Sequence, residues 1–221
     1  MKKSLIIFIF VFAAGIIHAQ TDKLEIGIEA GPNMANYTLP ALNYEPSEAN
    51  LYKFSAGITG QYDLTRHFSV KSGLIFEQKG YADVIDFTDN YGNFIKTTND
   101  PNIFSYLILP AFAKISFGNK LKFFVNGGPY FGFLLNNTFI SYPSNNDHPL
   151  IFNYTDHYNR FDFGASAGMG LERKILDKFS ISLEARYNYG FLTTFKYSAN
   201  SPYGRNGSAD LLLGLRYRLG E

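Results

Sequence analysis

The 221-residue chain contains no cysteine. That excludes a disulfide framework, thiol chemistry and any thiolate-held metal. It also closes the bacterial lipoprotein route to a membrane, which needs a cysteine directly after the export signal. Charge is scarce too: 18% of residues are Asp, Glu, Lys or Arg, below the usual quarter. The formal balance of +1 offers no electrostatic footprint for nucleic acid or for an anionic membrane surface. Beyond the N-terminus no apolar run reaches the roughly 20 residues that a helix needs to cross a bilayer. The longest, such as Leu107–Ala113, have the length of strands.

What the chain holds in quantity is aromatic. Phe occurs 22 times and Tyr 16 times, bringing aromatics to 17%. The N-terminal segment is set aside first. Met1-Lys2-Lys3 is a basic start, Leu5–Ile17 is an apolar run broken only by Gly15, and Ala19 is the small residue a signal peptidase cuts after. The run is too short to serve as a bilayer anchor. Residues 1–19 are therefore expected to be a cleaved signal peptide, with residues 20–221 as one exported domain. Loss of Lys2 and Lys3 would take the formal charge from +1 to −1.

Period-2 alternation then recurs eight times, in segments near the length of a tilted membrane strand. The segments are Leu24–Ala30, Lys53–Leu64, Phe68–Lys79, Tyr106–Phe117, Leu121–Leu134, Phe161–Glu172, Phe179–Tyr189 and Asp210–Leu219. The seventh is the cleanest: Phe179, Ile181, Leu183, Ala185, Tyr187 and Tyr189 alternate with Ser180, Ser182, Glu184, Arg186 and Asn188. The fourth has the weakest contrast, because Ile108 and Phe112 share its otherwise polar face.

The connections alternate in length. Pro32–Tyr52, Gly80–Ser105, Leu135–Arg160 and Gly190–Ala209 are long, whereas Thr65–His67, Gly118–Lys120 and Arg173–Lys178 are short. A barrel with both termini in the periplasm has this order. Outward aromatics fall in two groups around an aliphatic band. Tyr62, Phe68, Phe117, Phe179 and Tyr217 lie near the short turns; Phe54, Phe76, Phe131, Phe133, Phe161, Phe163, Tyr187 and Tyr189 lie near the long loops. Two aromatic girdles match the two interfaces of a bilayer. The expected fold is all-β: an eight-stranded antiparallel up-and-down transmembrane β-barrel with short periplasmic turns and four long extracellular loops, in an outer membrane. The competing fold is a soluble lipocalin-like barrel with the apolar faces inside.

Several segments resemble the PorT family of outer-membrane β-barrel proteins. They include Gly27-Ile28-Glu29-Ala30-Gly31-Pro32-Asn33, Phe76-Glu77-Gln78-Lys79-Gly80-Tyr81 and Tyr106-Leu107-Ile108-Leu109-Pro110. Further along, Lys122–Tyr130, Phe161-Asp162-Phe163-Gly164 with Gly168–Glu172, and Leu183–Gly190 look like that family's fifth, sixth and seventh strands. The resemblance covers essentially the whole exported chain. It implies the same eight-stranded barrel, in the outer membrane of a Gram-negative cell, and delivers no reaction; an accessory role in type IX secretion would be analogy from fold. The chain departs from many outer-membrane proteins in ending Leu219-Gly220-Glu221 instead of on an aromatic, so Tyr217 and Leu219 are the residues left for assembly-machine recognition.

Strand parity sends a charged set into the lumen. Its cations are Lys53, Lys71, Lys79, Lys114, Lys122, Arg186, Arg216 and Arg218; its anions are Glu25, Glu29, Asp63, Glu77, Asp162, Glu172 and Glu184. The interior of an eight-stranded barrel is just wide enough for side chains to fill. Balanced charges in so narrow a space should pair, since an unpaired one is costly. Glu25, Glu29, Lys71, Glu77, Asp162, Glu172, Glu184, Arg186, Arg216 and Arg218 are expected to form a lumen ion-pair network, with Glu25 meeting Arg216 and Arg218 where the last strand closes on the first. A narrow selective pore is the alternative.

Catalytic chemistry has little to work with. His67 sits in a short turn, and His148 and His157 share one long loop with Asp147 and Asp156. A rim hydrolase would need these groups to converge, and their spacing matches no recognised metal-ligand pattern. No catalytic, cofactor or metal residue is assigned. Tyr37, Tyr44, Tyr52, Tyr81, Tyr91, Tyr142, Tyr154, Tyr158 and Tyr203 lie in the long loops. They serve either as contact residues for a partner or as packing for the loops themselves. The expected protein is a monomer in contact with outer-membrane lipid and the assembly machinery. Its extracellular or secretion partners are unknown, and no nucleic acid is expected.

Overall fold

The computed structural model describes residues 23–38, 48–143, 148–194 and 204–220. The expected signal peptide, residues 1–19, lies outside the described residues. Among the described residues there are nine strands: β1 (Leu24–Thr38), β2 (Glu48–Asp63), β3 (Phe68–Thr88), β4 (Phe94–Gly118), β5 (Leu121–Ser141), β6 (Leu150–Asn153), β7 (Phe161–Lys174), β8 (Phe179–Gly190) and β9 (Arg205–Arg218). All pair antiparallel with their neighbours. β9 pairs β1 from Glu25↔Arg218 to Thr38↔Arg205, which closes the sheet. Eight strands form the ring, and the short β6 is added beside β5 at the long-loop end. Closure leaves the ring with no free edge, as a sheet in hydrocarbon requires.

The alternation read from the sequence decides which face is which. Ile28, Ile58 and Leu213 are 59%, 62% and 64% exposed, whereas their chain neighbours Glu29, Thr59 and Leu212 are buried. Large apolar side chains exposed all round a closed ring constitute a lipid-facing surface. The lipocalin-like alternative, with these side chains inside, is thereby reversed. Among the described residues no helix is long and apolar enough to cross a membrane.

The short turns come where the sequence puts them. Leu64 and Thr65 donate backbone N–H groups to the Phe68 carbonyl, and the Thr65 hydroxyl accepts from the Phe68 N–H at 3.0 Å. Gly118 takes φ +106 at the β4–β5 turn, a conformation that favours glycine.

The long connections differ from expectation. Residues 80–105, expected as a loop, are mostly a hairpin, because β3 runs on to Thr88 and β4 begins at Phe94. Membrane-length patterning ends near Lys79, but strand pairing does not need an apolar face. Val84, Ile85, Phe87, Phe94 and Ile95 are strand formers, and in water polar alternation serves the ladder equally well. The tip is held by Asp89, whose carboxylate accepts from the backbone of Tyr91 and Asn93 at 2.8 Å each, with Gly92 at φ +84. Likewise β1 extends through Pro32 to Thr38; the β1–β9 ladder is interrupted at Gly31 and Pro32, where proline has no N–H to give. β5 extends to Ser141 to pair with β6.

Candidate functional site

The inward faces make three tiers of polar contact under an aromatic cap. Nearest the short turns, Arg218 lies 2.6 Å from Glu25 and 3.0 Å from Asp63, and Arg216 lies 3.3 Å from Glu25. Arg216 also pairs with Glu172, which Lys114 reaches at 2.6 Å. The Gln61 amide ties this tier together, accepting from Lys114 at 2.9 Å and donating to Asp63 at 2.9 Å.

The middle tier is a four-charge knot. Lys71 lies 2.6 Å from Glu29 and 3.1 Å from Glu184; Arg186 lies 2.8 Å from Glu29 and 2.7 Å from Glu184. Asn126 donates to Glu184 at 3.0 Å, and the Arg186 guanidinium sits over the Phe112 ring at 5.2 Å. All four charged side chains are buried. Two cations shared by two carboxylates neutralise one another at short range, which is the condition for holding charge away from water.

The upper tier is built on Lys79, which is fully buried. Its ammonium donates to the Tyr130 hydroxyl at 3.1 Å and to Asp162 at 3.3 Å, and lies 4.0 Å from Glu77. Tyr130 donates in turn to Asp162 at 3.0 Å. Glu77 accepts from Ser208 and from the Asn188 amide, and that amide also reaches Asp210 at 2.7 Å.

Above these tiers Tyr81, Phe104, Tyr106, Leu134 and Tyr158 form a buried cluster with Ile75, Ile108 and Tyr130. Phe104 and Tyr158 meet edge to face at 4.7 Å, and Tyr37 lies against Tyr81 at 4.7 Å. Asn102 donates to the hydroxyls of Tyr81 and Tyr158 at 3.1 and 3.0 Å. Burial raises the Tyr158 hydroxyl above its ordinary pKa, so it stays a neutral hydrogen-bonding group.

All ten residues assigned to the lumen network therefore take part in ion pairs or hydrogen bonds within the ring. Lys53, Lys122 and Arg218 differ from the other lumen cations in being only partly buried. Asp210 is a buried anion missing from the expected lumen set, although it shares strand parity with Leu212, Gly214 and Arg216 and parity alone would have found it. Gln61, Asn126 and Asn188, on the inward faces that alternation assigns them, act as neutral linkers between the charges.

Of the loop tyrosines, Tyr37, Tyr81 and Tyr158 pack in the cap, whereas Tyr52 and Tyr91 are 75% and 91% exposed. Tyr44 and Tyr203 lie outside the described residues, as does Asp147. Asp156 is ion-paired with Arg160 at 2.8 Å, and His157 packs against Tyr154. His67 donates from Nδ1 to the Ser116 carbonyl, 3.0 Å away, in the short turn. Among the described residues no three His, Asp or Glu side chains converge as a metal-holding group.

A closed antiparallel ring, apolar without and ion-paired within, defines a transmembrane β-barrel of the outer-membrane kind. The chain belongs to the outer membrane protein beta-barrel domain family, whose model matches residues 18–196. No curated protein matches the chain in sequence. Three solved barrels are similar in backbone. Neisserial surface protein A is 13% identical, covering 88% of this chain and 96% of its own, at a TM-score of 0.49. OprG of Pseudomonas aeruginosa is 8% identical, covering 89% and 97%, at 0.49. Ail, the attachment invasion locus protein of Yersinia pestis, is 15% identical, covering 88% and 99%, at 0.41.

Proposed function

We propose that this outer-membrane barrel is a non-enzymatic scaffold of the PorT-like type, whose long loops bind a partner or help assemble a surface complex. The observation that carries the reading is the contrast between the two parts of the molecule. The interior is occupied by ion pairs and an aromatic cap, while the β3–β4 and β5–β6 hairpins rise beyond the ring as ordered strands. Rigid elements that stand clear of a membrane are suited to contact, and binding function concentrates in such segments. In this reading residues 1–19 direct export, both termini and the short turns face the periplasm, and the long loops face outward. The barrel is a monomer whose other contacts are outer-membrane lipid and the assembly machinery.

The test combines three measurements on one protein. Outer-membrane fractions should show a band whose gel mobility shifts on boiling. Protease added to intact cells should cut within residues 142–149. Purified protein in planar bilayers should give no steady single-channel current. A steady conductance would replace the scaffold with a pore, and cleavage only after the outer membrane is opened would invert the orientation.

A further inference from the structure

The upper interior tier holds more negative charge than its cation balances. Glu77, Asp162 and Asp210 are all buried. Among the described residues Lys79 is the one cation within 4.0 Å of any of them, and its closer partner is Asp162. Glu77 and Asp210 are left with neutral donors. The Asn188 amide nitrogen lies 3.2 and 3.3 Å from the two Glu77 oxygens and 2.7 Å from Asp210 Oδ2. One nitrogen in reach of both groups sets the two carboxylates side by side. Two adjacent buried anions with so little positive charge between them are expensive.

A second observation concerns the surrounding oxygens. Asp210 Oδ1, Asn33 Oδ1 and Ser55 Oγ are buried and have no hydrogen-bond partner. Asn33 stands directly opposite Asp210 across the β1–β9 ladder, and Ser55 directly opposite Glu77 across β2–β3. Both are at most 2% exposed and face the interior. Buried polar atoms normally find partners. Here two carboxylates, one with an unsatisfied oxygen, and two further unsatisfied oxygens lie on one level of the barrel.

We propose that the barrel binds a divalent cation of the calcium class between Glu77 and Asp210, with Asn33 and Ser55 completing the oxygen shell. The donor set is oxygen only, which disfavours zinc and suits a hard cation. Two carboxylates with amide and hydroxyl oxygens, in no fixed octahedron, fit calcium better than magnesium, which keeps several waters and strict geometry. The charge of a divalent ion also offsets the two carboxylates. Tyr106 and Tyr130 lie just above, so the ion enters as the ring closes and exchanges slowly afterwards.

The experiment uses the whole barrel, refolded from urea into detergent with calcium or with EDTA, then passed into metal-free buffer. Elemental analysis should find stoichiometric calcium in the first sample, and the temperature of the gel-mobility transition should be higher than in the second. Barrel refolded with terbium in place of calcium should emit on tyrosine excitation; the chain has no tryptophan to confuse the signal. Asp210→Asn, which removes a buried charge while keeping the shape, should fold, retain no calcium and show the same transition with and without it. Asp156→Asn, at an exposed loop acid, should behave as wild type. Wild-type protein that retains no calcium overturns the proposal, as does Asp210→Asn that retains as much as wild type. The first result would leave the two carboxylates to Lys79 and to Arg186, the register partner of Asp210 on β8. If Asp210→Asn does not fold, the wild-type calcium content and terbium emission decide alone.

Discussion

Glu25, near the start of the first strand, and Arg218, the last residue of the last strand, are register partners joined by an ion pair of 2.6 Å. The chain is thus fastened to itself across 193 residues by the charges at its two ends. Arg218 is 38% exposed on its side chain, unlike the cations deeper in the ring.

That difference ranks the ion pairs. Lys71→Met strips a buried cation from Glu29 and Glu184 and should cost about 3–5 kcal/mol, the range for breaking a buried pair. Arg218→Met, at the half-open mouth, should cost about 1 kcal/mol or less. Urea unfolding of the two variants in lipid vesicles checks the order, and equal losses would mean that depth in the ring does not govern the pairing.

Glycines on the two faces should respond oppositely. A Cβ on Gly170 would stand 2.6 Å from the Phe124 ring and 2.3 Å from the Leu183 carbonyl, so Gly170→Val should impair folding by crowding the filled interior. A Cβ on Gly60 meets nothing within 4 Å, so Gly60→Val on the lipid face should leave the boiling-dependent gel shift unchanged. The yield of folded protein measures both.

The β3–β4 hairpin carries a pH dependence of its own. Asp83 and Asp100 are cross-strand partners above the membrane band. Burial, and then the Asp100 charge, raise the Asp83 carboxyl above its ordinary pKa. A folded-state pKa above the unfolded one means that the folded hairpin keeps the proton longer. Its stability is therefore full at acid pH and declines as pH rises from the ordinary carboxylate value through the raised one. Amide protection factors across residues 81–102 should fall as pH rises from about 4, the ordinary carboxylate value. Asp83→Asn should flatten that fall.

The tip of the hairpin should be dispensable for the barrel. Replacing residues 84–99 by Asn-Gly keeps the Asp83–Asp100 register and supplies the two residues a tight hairpin needs. The shortened protein should still shift on boiling, because the cap residues Tyr81, Phe104 and Tyr106 remain. Loss of the shift would show that the projecting strands are part of the folding unit.

Much of this was legible from residue order alone. Alternation at Phe179–Tyr189 fixes inside and outside by itself, and the short turns at Thr65–His67 and Gly118–Lys120 set the strand order. The ends of the strands were not legible, because the apolar signal marks the membrane and not the ladder. Past Lys79 and Leu134 the strands continue in water, where polar and apolar side chains both serve. Pairing across the lumen was legible only as balance: parity places Lys71 and Glu184 inside, but not 3.1 Å apart. Contacts between strands that are not neighbours depend on ring size and strand tilt, which no local pattern encodes.

The middle tier has a consequence for how the protein enters the membrane. Glu29 comes from β1, Lys71 from β3, and Glu184 and Arg186 from β8, so no pair of neighbouring strands contains the whole knot. A sheet delivered to the bilayer one hairpin at a time would carry bare charges into oil. The interior therefore sets a timetable: sealing of the first strand against the last has to accompany passage into the lipid, and a sheet arrested open is trapped at the water's edge.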